Sequence, residues 1–248
     1  MKLLLDIGNS RLKWAFLNPE LQAGDAIAHA GSAFARILDT IRPEAAPTEI
    51  RAACVASPDI CHAVESWARL RFALPVHWAR SQVSVAGVRN GYADPGQLGV
   101  DRWLAVIAAF HRAHGAAFVV DAGTALTIDV VTAGGQHLGG LIAPGVATQR
   151  RSLRNQTQLR ASHEDASMAW LAEDTDRAIA LGTIHGQIGL IERVRAGIFA
   201  EHGDMSLFLT GGEAPRLASE LSMKWQYAPQ LVLEGLALLP PESFSLPK

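Results

Sequence analysis

The chain has 248 residues, of which 49% are apolar and 19% charged, and its formal net charge is −2. That balance predicts a globular protein with a sizeable core and excludes a disordered chain. A charge so close to zero gives no bulk case for binding nucleic acid or an acidic membrane, and no uncharged apolar run reaches the ~18 residues of a membrane span.

The first predicted element is the strand Leu3-Leu4-Leu5, which ends in Asp6-Ile7-Gly8-Asn9-Ser10. Met1 to Leu5 briefly resembles a signal peptide, but Asp6 cuts the apolar run too early for an h-region. A second strand over Leu12 to Leu17 completes a predicted β-hairpin. A carboxylate at a strand end can hold a hydrated Mg²⁺, directly or through water. Gly8 lets the backbone approach a phosphate without a Cβ clash. Backbone N–H groups, the Asn9 amide and the Ser10 hydroxyl can donate to phosphate oxygens, and Lys13 adds positive charge. The same residues also suit an ordinary β-turn in which Asp and Asn bond their own backbone.

Cys54 and Cys61, the chain's two cysteines, form no CxxC pair and predict reduced thiols in a cytoplasm. Further on, Tyr92 and Pro95 precede Leu98-Gly99-Val100-Asp101-Arg102. Asp101 to His114 carries Trp103, Leu104, Ile107 and Phe110 at helical spacing, with Gly115 as the expected C-cap. Asp101 at that helix start can cap it, or can accept a proton from a substrate hydroxyl as the oxygen attacks phosphorus. Arg102 can steady a carboxylate or phosphate, or pair with Asp101 at the surface.

The second half opens as the first does. Phe118-Val119-Val120 runs into Asp121-Ala122-Gly123-Thr124, and Leu126 to Val131 follows as the return strand. The paired turns predict a duplicated chain with halves 1–115 and 116–248. Each turn would then face a cleft and grip a triphosphate from one side. Gly139-Gly140 to Pro144-Gly145 lines a pocket or turns a corner. Arg150, Arg151, Arg154 and Arg160 read as a solvated helix face. Asp174 to His202 is the longest predicted helix, capped by Asp174 or Thr175 and ended by Gly203. Gly182, Gly186 and Gly189 inside it each cost ~1 kcal/mol of helix stability, which predicts close packing against another helix or a second subunit. Leu207-Phe208-Leu209 then runs into Thr210-Gly211-Gly212. Strands alternating with helices predict layered α/β architecture. P-loop, GxGxxG, GxSxG and HExxH motifs are absent from the sequence.

In combination these motifs resemble type III pantothenate kinases, which belong to the acetate and sugar kinase, heat-shock chaperone and actin superfamily. The segments that carry the resemblance run in order along nearly the whole chain: Asp6 to Ser10 with Lys13, Tyr92 with Pro95, Gly99 to Trp103, Asp121 to Thr124, Gly139 to Gly145, Asp174-Thr175, and Thr210 to Gly212. The resemblance implies two similar ribonuclease H-like halves of the actin-like ATPase superfamily, each opening with a β-hairpin, with a cleft between them. It implies ATP-dependent phosphorylation of the primary hydroxyl of pantothenate, the first step toward coenzyme A, by a cytoplasmic homodimer. Asp6, Ile7, Gly8, Asn9, Ser10, Arg11, Leu12 and Lys13 would bind ATP, with Mg²⁺ at Asp6, and Thr124 would contact the nucleotide. Asp101 would be the general base. Tyr92, Gly99, Val100, Asp101, Arg102 and Thr175 would contact pantothenate, and Asp121 would hold potassium or ammonium. Val100 stands where the family usually has alanine, and Asp174 where it usually has asparagine. The turns alone also fit a kinase for another small hydroxyl substrate, and the arginine stretch fits a regulatory protein that acts through a partner.

Overall fold

The apolar runs that open the two halves are strands covered on both faces, so they are hydrophobic at successive positions instead of alternating. The computed structural model describes residues 1–29, 34–157 and 169–245. β1 (Lys2–Ile7) runs antiparallel to β2 (Arg11–Leu17), and β2 antiparallel to β3 (Leu21–Ala28). After α1 (Phe34–Leu38), β4 (Glu49–Cys54) lies parallel to β1. α2 (Pro58–Phe72) then leads to β5 (Val76–Ala79), parallel to β4. A small pair, β6 (Ser84–Val85) and β7 (Val88–Arg89), precedes α3 (Val100–Ala113).

The second half repeats this plan. β8 (Ala117–Ala122), β9 (Ala125–Val131) and β10 (His137–Pro144) are successively antiparallel. α4 (Val146–Gln156) and α5 (Thr175–His202) lead to β11 (Ser206–Thr210), parallel to β8. α6 (Ala214–Ala218) leads to β12 (Gln226–Tyr227), parallel to β11. The first sheet contains the order β3-β2-β1-β4-β5 and the second the order β10-β9-β8-β11-β12. The duplication therefore extends from the two turns to a whole five-strand unit. Residue 115 falls between α3 and β8, but the chain crosses back once. α7 (Leu231–Leu238) leads to β13 (Phe244–Ser245), which pairs with β5 at the edge of the first sheet. Buried Arg51 secures this return: it donates to the Leu239 carbonyl at 2.9 Å and lies over the Phe244 ring at 4.6 Å.

α3 and α7 fill the space between the sheets. Leu4 and Ala15 of the first sheet, Trp103 and Leu104 of α3, Leu231 and Leu236 of α7, and Val119 and Phe208 of the second sheet form one core. α1 and α2 cover the outer face of the first sheet, and α5 and α6 that of the second. α7 approaches α3 so closely that a methyl at Gly235 would collide with the Leu104 backbone. Gly235→Ala is expected to lower the unfolding free energy by ~1–3 kcal/mol, the usual range for overpacking. Denaturant unfolding checks this, and an unchanged midpoint would show that the two helices separate freely.

Helix ends follow local chemistry. α3 begins one residue before Asp101, with Gly99 at its N-cap. Its C-cap is His114, left-handed at φ 50°, one residue earlier than the expected Gly115. Histidine tolerates that region better than branched residues do. At α5 the Asp174 carboxylate accepts from the Arg177 N–H at 2.8 Å, so its charge sits on the helix N-terminus, where the helix dipole favours it. Gly203 ends the helix.

Candidate active site

Strand alternation decides what each residue of the first turn can do. Asp6 in β1 pairs with Lys13 in β2, which places both side chains on the face that carries Leu4, toward the central layer. Ile7 and Leu12 point the other way and are fully buried in the outer core. Their side chains therefore point away from the cleft, so any contact they make with a nucleotide runs through the backbone. The Gly8 N–H donates to the Arg11 carbonyl at 3.0 Å and closes the turn, leaving Asn9 and Ser10 exposed at its tip.

The second turn matches it. The Gly123 N–H donates to the Ala125 carbonyl at 3.0 Å. Asp121 pairs with Thr127 of β9 on one side and Thr210 of β11 on the other. The two turns meet: the Ser10 and Thr124 hydroxyls are hydrogen-bonded at 2.9 Å. Neither Gly8 nor Gly123 has positive φ, and a methyl at either would lie 3.3–3.4 Å from its nearest neighbour. Backbone geometry alone does not demand glycine there. Gly211 differs. At φ +95° it abuts the Ala122 backbone, and a methyl there would lie 2.5 Å from the Asp121 carboxylate.

These parts surround one cavity of about 640 Å³. Asp6, Gly8, Asn9, Ser10, Arg11 and Lys13 line it from the first half, and Asp121, Gly123 and Thr124 from the second. Asp101, in the first turn of α3, lines it too, and its Oδ1 accepts from the Arg102 N–H at 2.8 Å. Thr127, Thr148, Arg151 and Glu213 complete the polar lining, and none of them belongs to the motifs that carry the family resemblance.

Three aspartates, Asp6, Asp101 and Asp121, gathered at one cavity carry an electrostatic penalty. Burial raises the Asp6 carboxyl to about 7; Lys13 opposes the rise, while Asp101 and Asp121 add to it. Burial likewise raises Asp121 to about 6, against Lys13 and with Asp101 and Asp129. Asp101 is pushed up by burial and held back by Arg102. Such a cavity attracts cations.

A family model described as type III pantothenate kinase matches residues 2–196. A type III pantothenate kinase of Nitrosococcus oceani is 35% identical over 246 residues, covering 96% of this chain and 92% of that one. This chain belongs to the type III pantothenate kinase family. Its fold is shared more widely. A Campylobacter jejuni protein described as a Baf family transcriptional activator superposes with a TM-score of 0.60 at 22% identity, covering 94% of each chain. A Sinorhizobium meliloti protein described as a 2-dehydro-3-deoxygalactonokinase gives 0.53 at 16% identity, over 96% of this chain and 97% of that one. The two-lobed fold of this family member is thus shared with both of these proteins.

Kinases of this kind use ATP with a divalent metal, and the residues present fit such ions. Among the described residues no three or more His, Cys, Asp or Glu side chains form a metal cage. Mg²⁺ keeps waters and binds through one or two carboxylates plus phosphate oxygens, and Asp6 offers a carboxylate at the cavity wall. Beside Asp121, the Thr210 hydroxyl is 1% exposed and has no hydrogen-bond partner among the described residues. By register Thr210 shares the face of Asp121, and so does Thr127. A carboxylate flanked by two hydroxyls is an oxygen-donor set suited to a hard cation.

The residues assigned to pantothenate lie differently. Tyr92, Gly99, Val100 and Arg102 cluster around the start of α3 without lining this cavity. Arg102 is buried, and its charge is met by Asp129 in a two-point pair of 2.8 and 2.7 Å. Val100 packs against the central core. Thr175 is exposed at the start of α5, outside the cavity. Of the arginine stretch, Arg150 reaches across to Thr183 and the Ala180 carbonyl of α5 at 3.2 Å each, Arg151 faces the cavity, and Arg154 is exposed. Arg160 lies outside the described residues. Cys54 and Cys61 are free thiols that the β4–α2 reversal brings to an Sγ–Sγ distance of 2.8 Å.

Proposed function

We propose that this chain transfers the terminal phosphoryl group of ATP to the primary hydroxyl of pantothenate, the first step toward coenzyme A. Family membership carries this reading, and the convergence of both Asp-x-Gly turns and Asp101 on one cavity supports it. Phosphoryl transfer asks mainly for positioning and charge neutralisation. The exposed turns at residues 8–10 and 123–124 hold the phosphates through backbone N–H groups and the Ser10 and Thr124 hydroxyls, which exchange their mutual bond for bonds to the nucleotide. Lys13, Arg11 and Arg151 supply positive charge around them. Asp6 holds Mg²⁺ directly or through water. When bound, that ion neutralises charge on the phosphates. Asp121, with Thr127 and Thr210, holds potassium or ammonium.

Asp101 accepts the proton of the pantothenate hydroxyl, and Tyr92, Gly99, Val100 and Arg102 shape the substrate side. Thr175 joins that side across a homodimer interface built on α5. Among the described residues, methyl groups placed at Gly182, Gly186, Gly189 or Gly197 would meet nothing within 4 Å, which supports this small-residue face as the seat of a second copy.

The direct test is ADP release from ATP with Mg²⁺ and K⁺, with and without pantothenate. The expected result is ADP that depends on both pantothenate and K⁺. ADP that instead follows a sugar substrate would move the chain to another kinase activity, and none with either substrate would overturn the reading.

A further inference from the structure

Two residues outside every assigned role, Asp129 and His137, are joined to the proposed substrate side by an unbroken set of contacts. Asp129, on β9, is 2% exposed, and His137, at the start of β10, is 0% exposed. Asp129 takes Arg102 Nε at 2.8 Å and Nη2 at 2.7 Å. Its Oδ1 also receives His137 Nε2 at 3.0 Å. The Gly91 N–H approaches His137 Nδ1 at 3.4 Å. With Nδ1 as the acceptor, the ring proton stands on Nε2 and is donated to Asp129.

Arg102 and His137 then converge on Tyr92. Arg102 Nη1 donates to the Tyr92 hydroxyl at 2.9 Å. The Tyr92 ring stacks on His137 with centroids 6.1 Å apart and planes 14° apart. Tyr92 is thus held at its hydroxyl by Arg102 and at its ring by His137, and Asp129 fixes both holders. The Tyr92 N–H also donates to the Asn90 side chain at 2.9 Å. Gly140 has a reason here: a methyl on it would collide with the Ile128 carbonyl, the Asp129 carboxylate and the Arg102 guanidinium. A guanidinium has five N–H donors. Two go to Asp129 and one to Tyr92, which fixes the orientation of the guanidinium.

We infer that Asp129 and His137 are positioning residues for substrate recognition: they set the pose of Arg102 and Tyr92 and through it the affinity for the phosphoryl acceptor. The inference rests on the reading that Tyr92 and Arg102 meet the acceptor. A bidentate Arg–carboxylate pair supplies directionality as well as energy. Locking both side chains before the substrate arrives removes ordering that binding would otherwise have to impose.

Steady-state kinetics with full-length protein, varying pantothenate and ATP separately, tests this. His137→Leu and Asp129→Asn should raise the pantothenate KM about tenfold, and the ATP KM should stay within about twofold. His137→Gln, whose amide nitrogen reaches where Nε2 stands, should recover most of the loss. Tyr92→Phe should also raise the pantothenate KM, less than additively with His137→Leu, because both act on one unit. Should Asp129→Asn fail to fold, the His137 pair of variants decides alone. A lowered Tm with both KM values unchanged in His137→Leu would reduce the pair to a structural brace and overturn the inference. Arg102→Lys is the control on the underlying reading. If it alters pantothenate KM while His137→Leu does not, only this inference falls. If Arg102→Lys and Tyr92→Phe both leave pantothenate KM unchanged, the substrate reading falls with it.

Discussion

Replacing Asp101 with asparagine is expected to lower kcat about 10²–10⁴-fold while nucleotide binding persists. The side chain lines the cavity from the first turn of α3, at the same pocket as both phosphate turns. An unperturbed aspartate, near 3.9, is a weak base for a hydroxyl proton, and burial moves Asp101 upward in the useful direction. Its Oδ1 is occupied by the Arg102 N–H, which leaves Oδ2 to face the acceptor. Asparagine keeps the shape and the bond from Arg102 but accepts no proton. The loose transition state of phosphoryl transfer leans less on a base than acyl transfer does, which favours the lower part of the range. Loss of one of three neighbouring negative charges also relieves Asp6 and Asp121, so ATP affinity should hold or rise. Calorimetric ATP binding beside ADP-release kinetics separates the two effects. Turnover within threefold of the unaltered protein would remove Asp101 from the role of base.

The sequence reveals this site unevenly, for physical reasons. An Asp-x-Gly turn after an apolar strand is a local structure, so both turns and the duplicated fold could be read directly. The boundaries of α3 and α5 were likewise legible, because capping and periodicity act within a few residues. The two-residue period of strands sends the Ile7 and Leu12 side chains into the outer core, a distinction the motif alone does not draw. The same period, applied across the second hairpin, would have placed Thr127 beside Asp121. Thr210 could not be reached that way, because its partnership with Asp121 joins strands separated by two helices. Asp129 and His137 carry no motif at all. Their meaning lies in the register of β9 against β10 and in the approach of the Tyr92 loop, which is long-range information. The return of β13 to the first sheet is hidden for the same reason.

Asp6→Asn should have opposite consequences with and without nucleotide. In the folded chain the Asp6 carboxyl rises from 3.8 to about 7, chiefly through burial. Between about pH 4 and 7 the folded state therefore holds a proton that the unfolded chain has released. By linkage, stability falls as pH rises through that window, and the penalty is complete above it. At ~1.4 kcal/mol per pKa unit the shift is on the order of 4 kcal/mol. Asparagine never ionises, so at pH 8 the nucleotide-free variant should be the more stable protein and should show a flatter dependence of Tm on pH. Asp121, raised to about 6, leaves a residual slope of the same sign. With Mg²⁺ and a non-hydrolysable ATP analogue the order should reverse, because an ionised carboxylate beside the phosphates is what a divalent cation requires. The unaltered protein should gain several degrees, more at pH 8 than at pH 6, and the variant little at either. Melting curves across pH 5.5–8.5 with and without the Mg²⁺–analogue pair check both halves. A nucleotide-free variant less stable than the unaltered protein at pH 8 would show that Asp6 supports the fold. A more stable nucleotide-free variant that also loses the stabilisation by the Mg²⁺–analogue pair would show that the buried charge serves cation binding at the expense of stability.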